Sequence, residues 1–88
     1  MLEKVVKAAV RKRLNELGCY QFWFVPFGLG DTTVDCLGCH NSQFFAIECK
    51  RPGLKPTLRQ AMILNKIKAA GGLVFVIDSV EQAQKLFA

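Results

Sequence analysis

The sequence contains no apolar run that approaches the roughly 18 residues of a membrane-spanning helix, and it contains no linker or low-complexity tract. We therefore exclude membrane-embedded and disordered classes, and we expect one domain that comprises residues 1–88. Acidic residues are scarce, because seven Asp and Glu stand against twelve Lys and Arg, for a net charge of +5. This excess favours a polyanionic partner, since clustered Lys and Arg gain affinity by releasing counterions from phosphates.

The N-terminal residues Met1-Leu2-Glu3-Lys4 are not followed by the apolar stretch of a secretory signal, so we expect a cytoplasmic protein. We expect the four cysteines to be free thiols or metal ligands, because disulfides are rare in a reducing compartment. A chain of this length buries only about 60–65% of its unfolded surface. We therefore also expect a symmetric homodimer, which would enlarge the buried core.

The spacing of apolar residues predicts a first helix and three strands. Apolar positions recur at three- and four-residue steps from Leu2 to Leu17, which predicts an amphipathic helix that ends at Gly18. Aromatic and β-branched residues then predict strands at 19–25, 32–37 and 44–50. Only a polar group at residues 39–42 separates the last two strands, so we expect them to form an antiparallel hairpin.

The second half of the chain predicts a helical crossover between two strands. Residues 57–60 have the S/T-x-x-E/Q form of a capping box, and the helix that they open ends at Gly71-Gly72. The apolar run 73–77 predicts a fourth strand, and Ser79 begins a short last helix. A helix between strands three and four makes that pair parallel. The predicted fold is α/β, with a central mixed four-stranded sheet flanked by helices in the order αβββαβα.

Three charged residues around the predicted hairpin indicate a chemical site. Glu48 and Lys50 leave the same face of the third strand, because side chains alternate along a strand. Asp35 lies on the preceding strand, and antiparallel pairing can bring its carboxylate beside that of Glu48. A hard cation such as Mg²⁺ or Mn²⁺ would relieve their repulsion and take oxygen ligands. Lys50 could then orient a water or stabilise charge on a phosphate, which predicts metal-dependent phosphodiester hydrolysis.

A Glu-x-Lys pair also occurs on solvated edge strands, where it contributes little to stability. The alternative is therefore a non-catalytic, basic DNA-binding or assembly module, with or without a stapling zinc ion. The candidate zinc ligands are Cys36, Cys39 and His40, together with Cys19 or Cys49. This alternative lacks the second closely spaced cysteine pair that structural zinc sites usually have.

A longer pattern surrounds the three charged residues. It comprises Asp35, Phe44-Phe45-Ala46-Ile47-Glu48-Cys49-Lys50-Arg51-Pro52-Gly53, Lys55-Pro56-Thr57, Gln60, Lys68-Ala69-Ala70-Gly71-Gly72, Val76 and Ser79-Val80-Glu81. This pattern resembles the VRR-NUC (virus-type replication-repair nuclease) domain, a family of the PD-(D/E)xK nuclease superfamily. Val34 departs from the family, which usually has proline before the aspartate. Asp31 is a rival for the aspartate, but its distance from Glu48 requires a longer hairpin, so we favour Asp35.

The resemblance implies a restriction-endonuclease-like core and a role for each matching residue. Asp35 and Glu48 match the acidic metal ligands, the Cys49 carbonyl matches a further metal ligand, and Lys50 matches the catalytic lysine. Two supporting residues complete the expected site. Glu3 in the first helix matches an acidic residue beside the site, and Gln60 matches a glutamine that points toward the metal centre.

Stand-alone, phage-sized members of the family are similar to dimeric Holliday-junction resolvases. The resemblance therefore implies an Mg²⁺- or Mn²⁺-dependent, structure-specific DNA endonuclease of DNA repair, which acts as a homodimer in the phage host or bacterial cytoplasm without an organic cofactor. Nothing in the sequence distinguishes DNA from RNA, so an RNA-directed or a restriction-type nuclease stays open as an alternative.

Basic and aromatic residues outside this pattern could contact the substrate or a second subunit. The candidate DNA-binding residues are Lys4, Lys7 and Arg11 in the first helix, and Arg51, Lys55 and Arg59 after the third strand. The helix residues could equally form a solvated face. Five aromatic residues exceed what one small core needs, which favours a dimer interface over stacking on bases; they are Tyr20, Phe22, Trp23, Phe24 and Phe27.

Overall fold

The structure is a computed structural model, and it describes residues 1–25 and 33–88. The elements are α1 (Glu3–Leu17), β1 (Tyr20–Trp23), β2 (Cys36–His40), β3 (Gln43–Cys49), α2 (Leu58–Ala69), β4 (Leu73–Ile77) and α3 (Val80–Gln84). The predicted α/β fold with a mixed four-stranded sheet is confirmed. None of the described helices is long and apolar enough to cross a membrane.

The strands lie in the order β1-β2-β3-β4 across the sheet. The β1–β2 and β2–β3 pairs are antiparallel, whereas β3 and β4 are parallel, as the crossover through α2 predicted. Asn41 and Ser42 form the turn between β2 and β3 with φ angles of 51° and 65°. A two-residue hairpin with both φ angles positive matches the right-handed twist of the strands, which fixes the β2–β3 register.

The first three predicted strands have different bounds in the structure, and the third, predicted at 44–50, is β3 at Gln43–Cys49. The second strand was predicted to end at Leu37, but β2 continues to His40 because a two-residue turn leaves residues 39 and 40 free to pair with β3. The first strand was predicted to reach Val25, but β1 ends at Trp23. The second strand was also predicted to include residues 33–35, but β2 begins at Cys36, so Asp35 directly precedes the strand. Thr32, the loop at 26–31 and the rival aspartate Asp31 lie outside the described residues.

The sheet is covered by helices on both faces. One face of β3 contributes Phe45, Ile47 and Cys49 to the larger core cluster. The same cluster contains Val6, Val10 and Leu14 of α1, together with Ala83 of α3 and Leu86 just beyond it. On the other face, Ala46 packs with Val34 and with Leu64 of α2. Each fully buried aliphatic side chain contributes about 1.5–3 kcal/mol to folding, so these contacts hold α1 against the strands that carry the charged residues.

Candidate active site

The β2–β3 hairpin places Asp35 opposite Glu48. Cys36 pairs with Ile47 in this antiparallel ladder. Asp35, which precedes Cys36, therefore lies opposite Glu48, which follows Ile47. The Asp35 backbone N–H donates a hydrogen bond to Glu48 Oε1 (3.2 Å), and the Cys49 backbone N–H donates one to Asp35 Oδ2 (2.7 Å). The two carboxylates are therefore held close by backbone contacts on both sides, and the short Asp35 bond is of the stronger, charge-assisted kind.

Lys50 completes a buried ion pair with Glu48. The Lys50 ammonium lies 3.3 Å from Glu48 Oε2, and the Glu48 side chain is only 2% exposed. The Lys50 backbone N–H donates to the Ile77 carbonyl (2.9 Å), which fixes the residue just beyond the end of β3 to β4. Glu48 and Lys50 thus share a side of the strand, as the alternation predicted. Cys49 between them packs in the core on the opposite face.

Burial and a neighbouring charge make Glu48 a weak acid. Burial of the side chain and the charge of Asp35 raise the pKa of Glu48 to about 7, although the Lys50 ammonium opposes this shift. Burial is the larger of the two causes, and the nearby Asp35 carboxylate adds to it, because both effects disfavour the ionised form of Glu48. Perturbed groups of this kind are concentrated at functional sites, although structural ion-pair networks also contain them.

Lys7 of α1 joins the site, a contact that sequence reasoning missed. Its ammonium lies 3.4 Å from Asp35 Oδ1 and 3.3 Å from Glu3 Oε2, so it bridges the carboxylates of Asp35 and Glu3. Burial acts to lower the pKa of Lys7, but the charges of Asp35 and Glu3 outweigh it and raise the pKa above its ordinary value. The only signal in the sequence is the i,i+4 spacing of Glu3 and Lys7, which is common on solvated helices.

Glu3 and Gln60, the two supporting residues that the resemblance implied, make different contacts in the structure. Glu3 reaches Asp35 only through the Lys7 ammonium. Gln60 is buried, but its side-chain oxygen accepts the Thr57 backbone N–H (3.0 Å) while the Thr57 hydroxyl accepts the Gln60 N–H (3.2 Å). The predicted capping box is therefore present. Its Gln60 oxygen is engaged at the start of α2, and among the described residues no hydrogen bond joins Gln60 to Asp35, Glu48 or Lys50.

The available oxygen atoms fit a hard divalent cation. Each carboxylate oxygen accepts one partner and retains a second lone pair, so neither group is saturated. The N–H and C=O groups of one strand residue point to the same side, so the Cys49 carbonyl is directed toward Asp35 as its N–H is. Two carboxylates and a peptide carbonyl suit Mg²⁺ or Mn²⁺, with water and a phosphate as further ligands. Across residues 1–25 and 33–88, no group of three His, Cys, Asp or Glu side chains is arranged to hold a metal.

The candidate zinc ligands do not face a common point. Cys36 is buried in the core beside α1, whereas Cys39 on the same strand is exposed. Burial raises the pKa of the Cys36 thiol to about 12, which disfavours the thiolate that zinc requires. The ring of His40 packs against that of Phe87, with centroids 4.7 Å apart.

The predicted DNA-binding residues divide into two groups. Arg51, Lys55 and Arg59 are exposed on the segment that follows Lys50 and on the first turn of α2. In α1, Lys4 is exposed, but Arg11 stacks its guanidinium on Trp23 at 4.7 Å from the ring centroid. The segment that begins directly after Lys50 therefore carries three exposed positive charges.

Aromatic residues of β1 and just beyond it are exposed at the edge of the sheet. Tyr20, Phe22 and Phe24 remain 69%, 51% and 39% exposed, and the rings of Phe22 and Phe24 contact each other edge to face. Trp23 points to the opposite face, toward the core and α1. Phe27, the fifth aromatic residue of the predicted interface, lies outside the described residues. An edge strand with exposed rings is a surface that proteins usually cover.

No protein-family model matches this chain, and a search of the curated proteins found no significant match. The VRR-NUC resemblance therefore rests on the residues of the sequence alone.

Proposed function

We propose that this protein is a divalent-metal-dependent, structure-specific DNA endonuclease of the VRR-NUC type. The observation that carries the proposal is the convergence of Asp35, buried Glu48 and Lys50 at one end of the β2–β3 hairpin. Burying the Glu48 carboxylate beside the partly exposed Asp35 carboxylate costs folding free energy, which raises the pKa of Glu48. A catalytic centre gives a reason for that cost, since such sites trade stability for reactivity.

A bound Mg²⁺ or Mn²⁺ would supply an activated water and would polarise the scissile phosphate. Asp35, Glu48 and the Cys49 carbonyl would hold this ion. Lys50 is fixed by Glu48 Oε2 and would stabilise the negative charge that accumulates on the phosphate oxygens or position the attacking water. The low exposure of Glu48 and Lys50 strengthens these electrostatic effects, because fewer water molecules screen them.

The exposed cations after β3 support a nucleic acid as the substrate. Arg51, Lys55 and Arg59 would bind the phosphate backbone on either side of the reacting group. Contacts of this kind fix position without reading bases, so we propose recognition of DNA shape, such as a branch or a four-way junction. A two-fold homodimer would present two sites to the symmetric strands of a junction. We place this activity in DNA repair in a bacterial or phage-infected cytoplasm.

The test is cleavage of labelled four-way junction, flap and linear duplex DNA of matched sequence, with Mg²⁺, Mn²⁺ or EDTA. We expect metal-dependent cutting of the branched substrates, with activity lost in Asp35→Asn and Lys50→Ala. Lys12→Ala is the matched control, because Lys12 is an exposed residue of α1 outside the site. Circular dichroism should show that each variant is folded. Activity that survives Asp35→Asn, or equal rates on linear and branched DNA, would contradict the proposal.

A non-catalytic basic module is the second candidate. The observation in its favour is that each carboxylate already has an ammonium partner, Lys7 for Asp35 and Lys50 for Glu48. Such an arrangement is also what a structural network of partly buried ion pairs requires. In this case Asp35→Asn would weaken stability but leave DNA binding unchanged, and no metal would alter the behaviour of the protein.

A further inference from the structure

The two ammonium groups at the site differ in how they are held. Lys50 follows directly after the strand that carries Glu48, and its side chain is 11% exposed. Lys7 reaches Asp35 from α1, has 34% of its side chain exposed, and has a second carboxylate, Glu3, at 3.3 Å. Lys7 can therefore leave Asp35 without becoming an unpaired charge, because Glu3 lies one helical turn away on the same helix.

We propose that Lys7 is a displaceable internal cation, which neutralises Asp35 in the metal-free protein and shifts to Glu3 when a divalent cation binds Asp35 and Glu48. This inference rests on the proposed metal site. Both cations bind through the same carboxylate, so their like charges would come within a few ångströms of each other and repel strongly. Lys7 is thus a positioning residue that lowers the affinity of the site for a metal, and Glu3 is the residue that receives it.

This arrangement gives Glu3 a role that its position otherwise lacks. The Glu3 carboxylate contacts Lys7 but reaches Asp35 only through it. Glu3 could be a direct metal ligand or a partner for Lys7, and these two roles predict different effects of a Glu3 substitution on metal affinity once Lys7 is removed. If Glu3 acts only through Lys7, then its substitution has no effect on metal affinity in a protein that lacks the Lys7 charge.

The test is titration of the full, metal-free chain with MnCl₂ by isothermal titration calorimetry, with Mn²⁺ electron paramagnetic resonance as a second readout. We expect Lys7→Met to bind Mn²⁺ at least about tenfold more tightly than the unmodified protein, because a repelling charge has been removed. Lys7→Arg keeps the charge and should bind like the unmodified protein. Lys12→Met removes an equal charge from an exposed position of α1 and controls for the change in net charge.

The Glu3 variants keep the inference testable if Lys7→Met folds poorly. Glu3→Gln leaves Lys7 without its second carboxylate, so we expect Mn²⁺ affinity to fall by about threefold to tenfold. The same substitution made together with Lys7→Met should change affinity by less than about twofold relative to Lys7→Met alone. An effect of Glu3→Gln that is as large in the double variant would make Glu3 a direct ligand and would overturn the inference.

The outcomes separate this inference from the proposed function. Binding that is lost in Asp35→Asn but is unchanged or weaker in Lys7→Met overturns the role of Lys7 and leaves the metal site intact. Absence of Mn²⁺ binding in both the unmodified protein and Lys7→Met overturns both proposals. Binding by Lys7→Met alone supports the inference, because removal of the internal cation then opens the site.

Discussion

The raised pKa of Glu48 predicts that the metal-free protein loses stability as the pH rises from about 4.5 to about 7. An unfolded glutamate ionises near pH 4.5, whereas burial and the charge of Asp35 raise the pKa of folded Glu48 to about 7. Between these two values the folded protein holds a proton that the unfolded chain has released. Stability is therefore greatest below the unfolded pKa and falls as the pH rises toward the folded pKa.

The magnitude follows from the size of the shift. Each pKa unit corresponds to about 1.4 kcal/mol, so the shift from 4.5 to about 7 sets an upper limit of about 3–4 kcal/mol. Part of this loss falls below pH 5, because the unfolded glutamate ionises near pH 4.5, so we expect a fall of about 2 kcal/mol in the free energy of unfolding between pH 5 and pH 8. For a domain of this size that change lowers Tm by roughly 8–16 °C.

The assay is guanidinium chloride unfolding in EDTA at half-unit steps from pH 5 to pH 8, for the unmodified protein and for Glu48→Gln. Glutamine keeps a side-chain oxygen that can accept the Asp35 backbone N–H but cannot ionise. The variant should therefore have a nearly flat profile over the same range. A profile of the unmodified protein that is flat or rises with pH, or a fall of equal size in Glu48→Gln, would refute the argument that Glu48 is a perturbed acid.

Three further predictions test the sheet, the exposed rings and the basic segment. Gly38→Ala should lower the free energy of unfolding by about 2–3 kcal/mol, because an added Cβ would overlap the Tyr20 carbonyl and the Phe45 ring; denaturant unfolding at constant pH measures this, and an unchanged midpoint would contradict it. Phe22→Ser should shift the expected homodimer toward monomer in analytical ultracentrifugation, because it removes a half-exposed ring from the edge strand; a dimer of undiminished affinity would assign the interface elsewhere. Arg51→Ala and Lys55→Ala, each made in the Asp35→Asn background, should each reduce the slope of log K for DNA binding against log salt concentration by about one, because each removes one phosphate contact. Slopes equal to that of Asp35→Asn alone would show that these residues do not contact DNA.

The elements that the sequence predicted well are those with local signals. The apolar run 73–77 has the same bounds as β4, and the capping box at Thr57 begins α2. The end of β2 was predicted less well, because Cys39 and His40 are polar enough to suggest a loop. Their place in the strand depends on the positive φ angles of Asn41 and Ser42, which allow a turn of only two residues. Propensity alone does not report that backbone conformation.

Gln60 was predicted to have two roles, and the structure shows one of them. The same residue completes a capping box and matches a glutamine that the resemblance directs toward a metal. In the structure its side-chain oxygen accepts the Thr57 N–H, which satisfies a backbone donor at the start of α2. The capping role follows from spacing over three residues and needs no tertiary information. The metal role requires the position of α2 relative to β3, which the spacing does not contain.

The contacts of the candidate site became harder to predict as they became less local. Glu48 and Lys50 are two residues apart on one face, so strand alternation was sufficient to pair them. Asp35 and Glu48 required the hairpin register, which a two-residue turn determines. The contact between Lys7 and Asp35 also depends on the rotation of α1 about its axis, and the packing of Val6, Val10 and Leu14 against the sheet sets that rotation. A substitution that alters this packing should therefore weaken the Lys7 contact first, while the Glu48–Lys50 pair persists with β3.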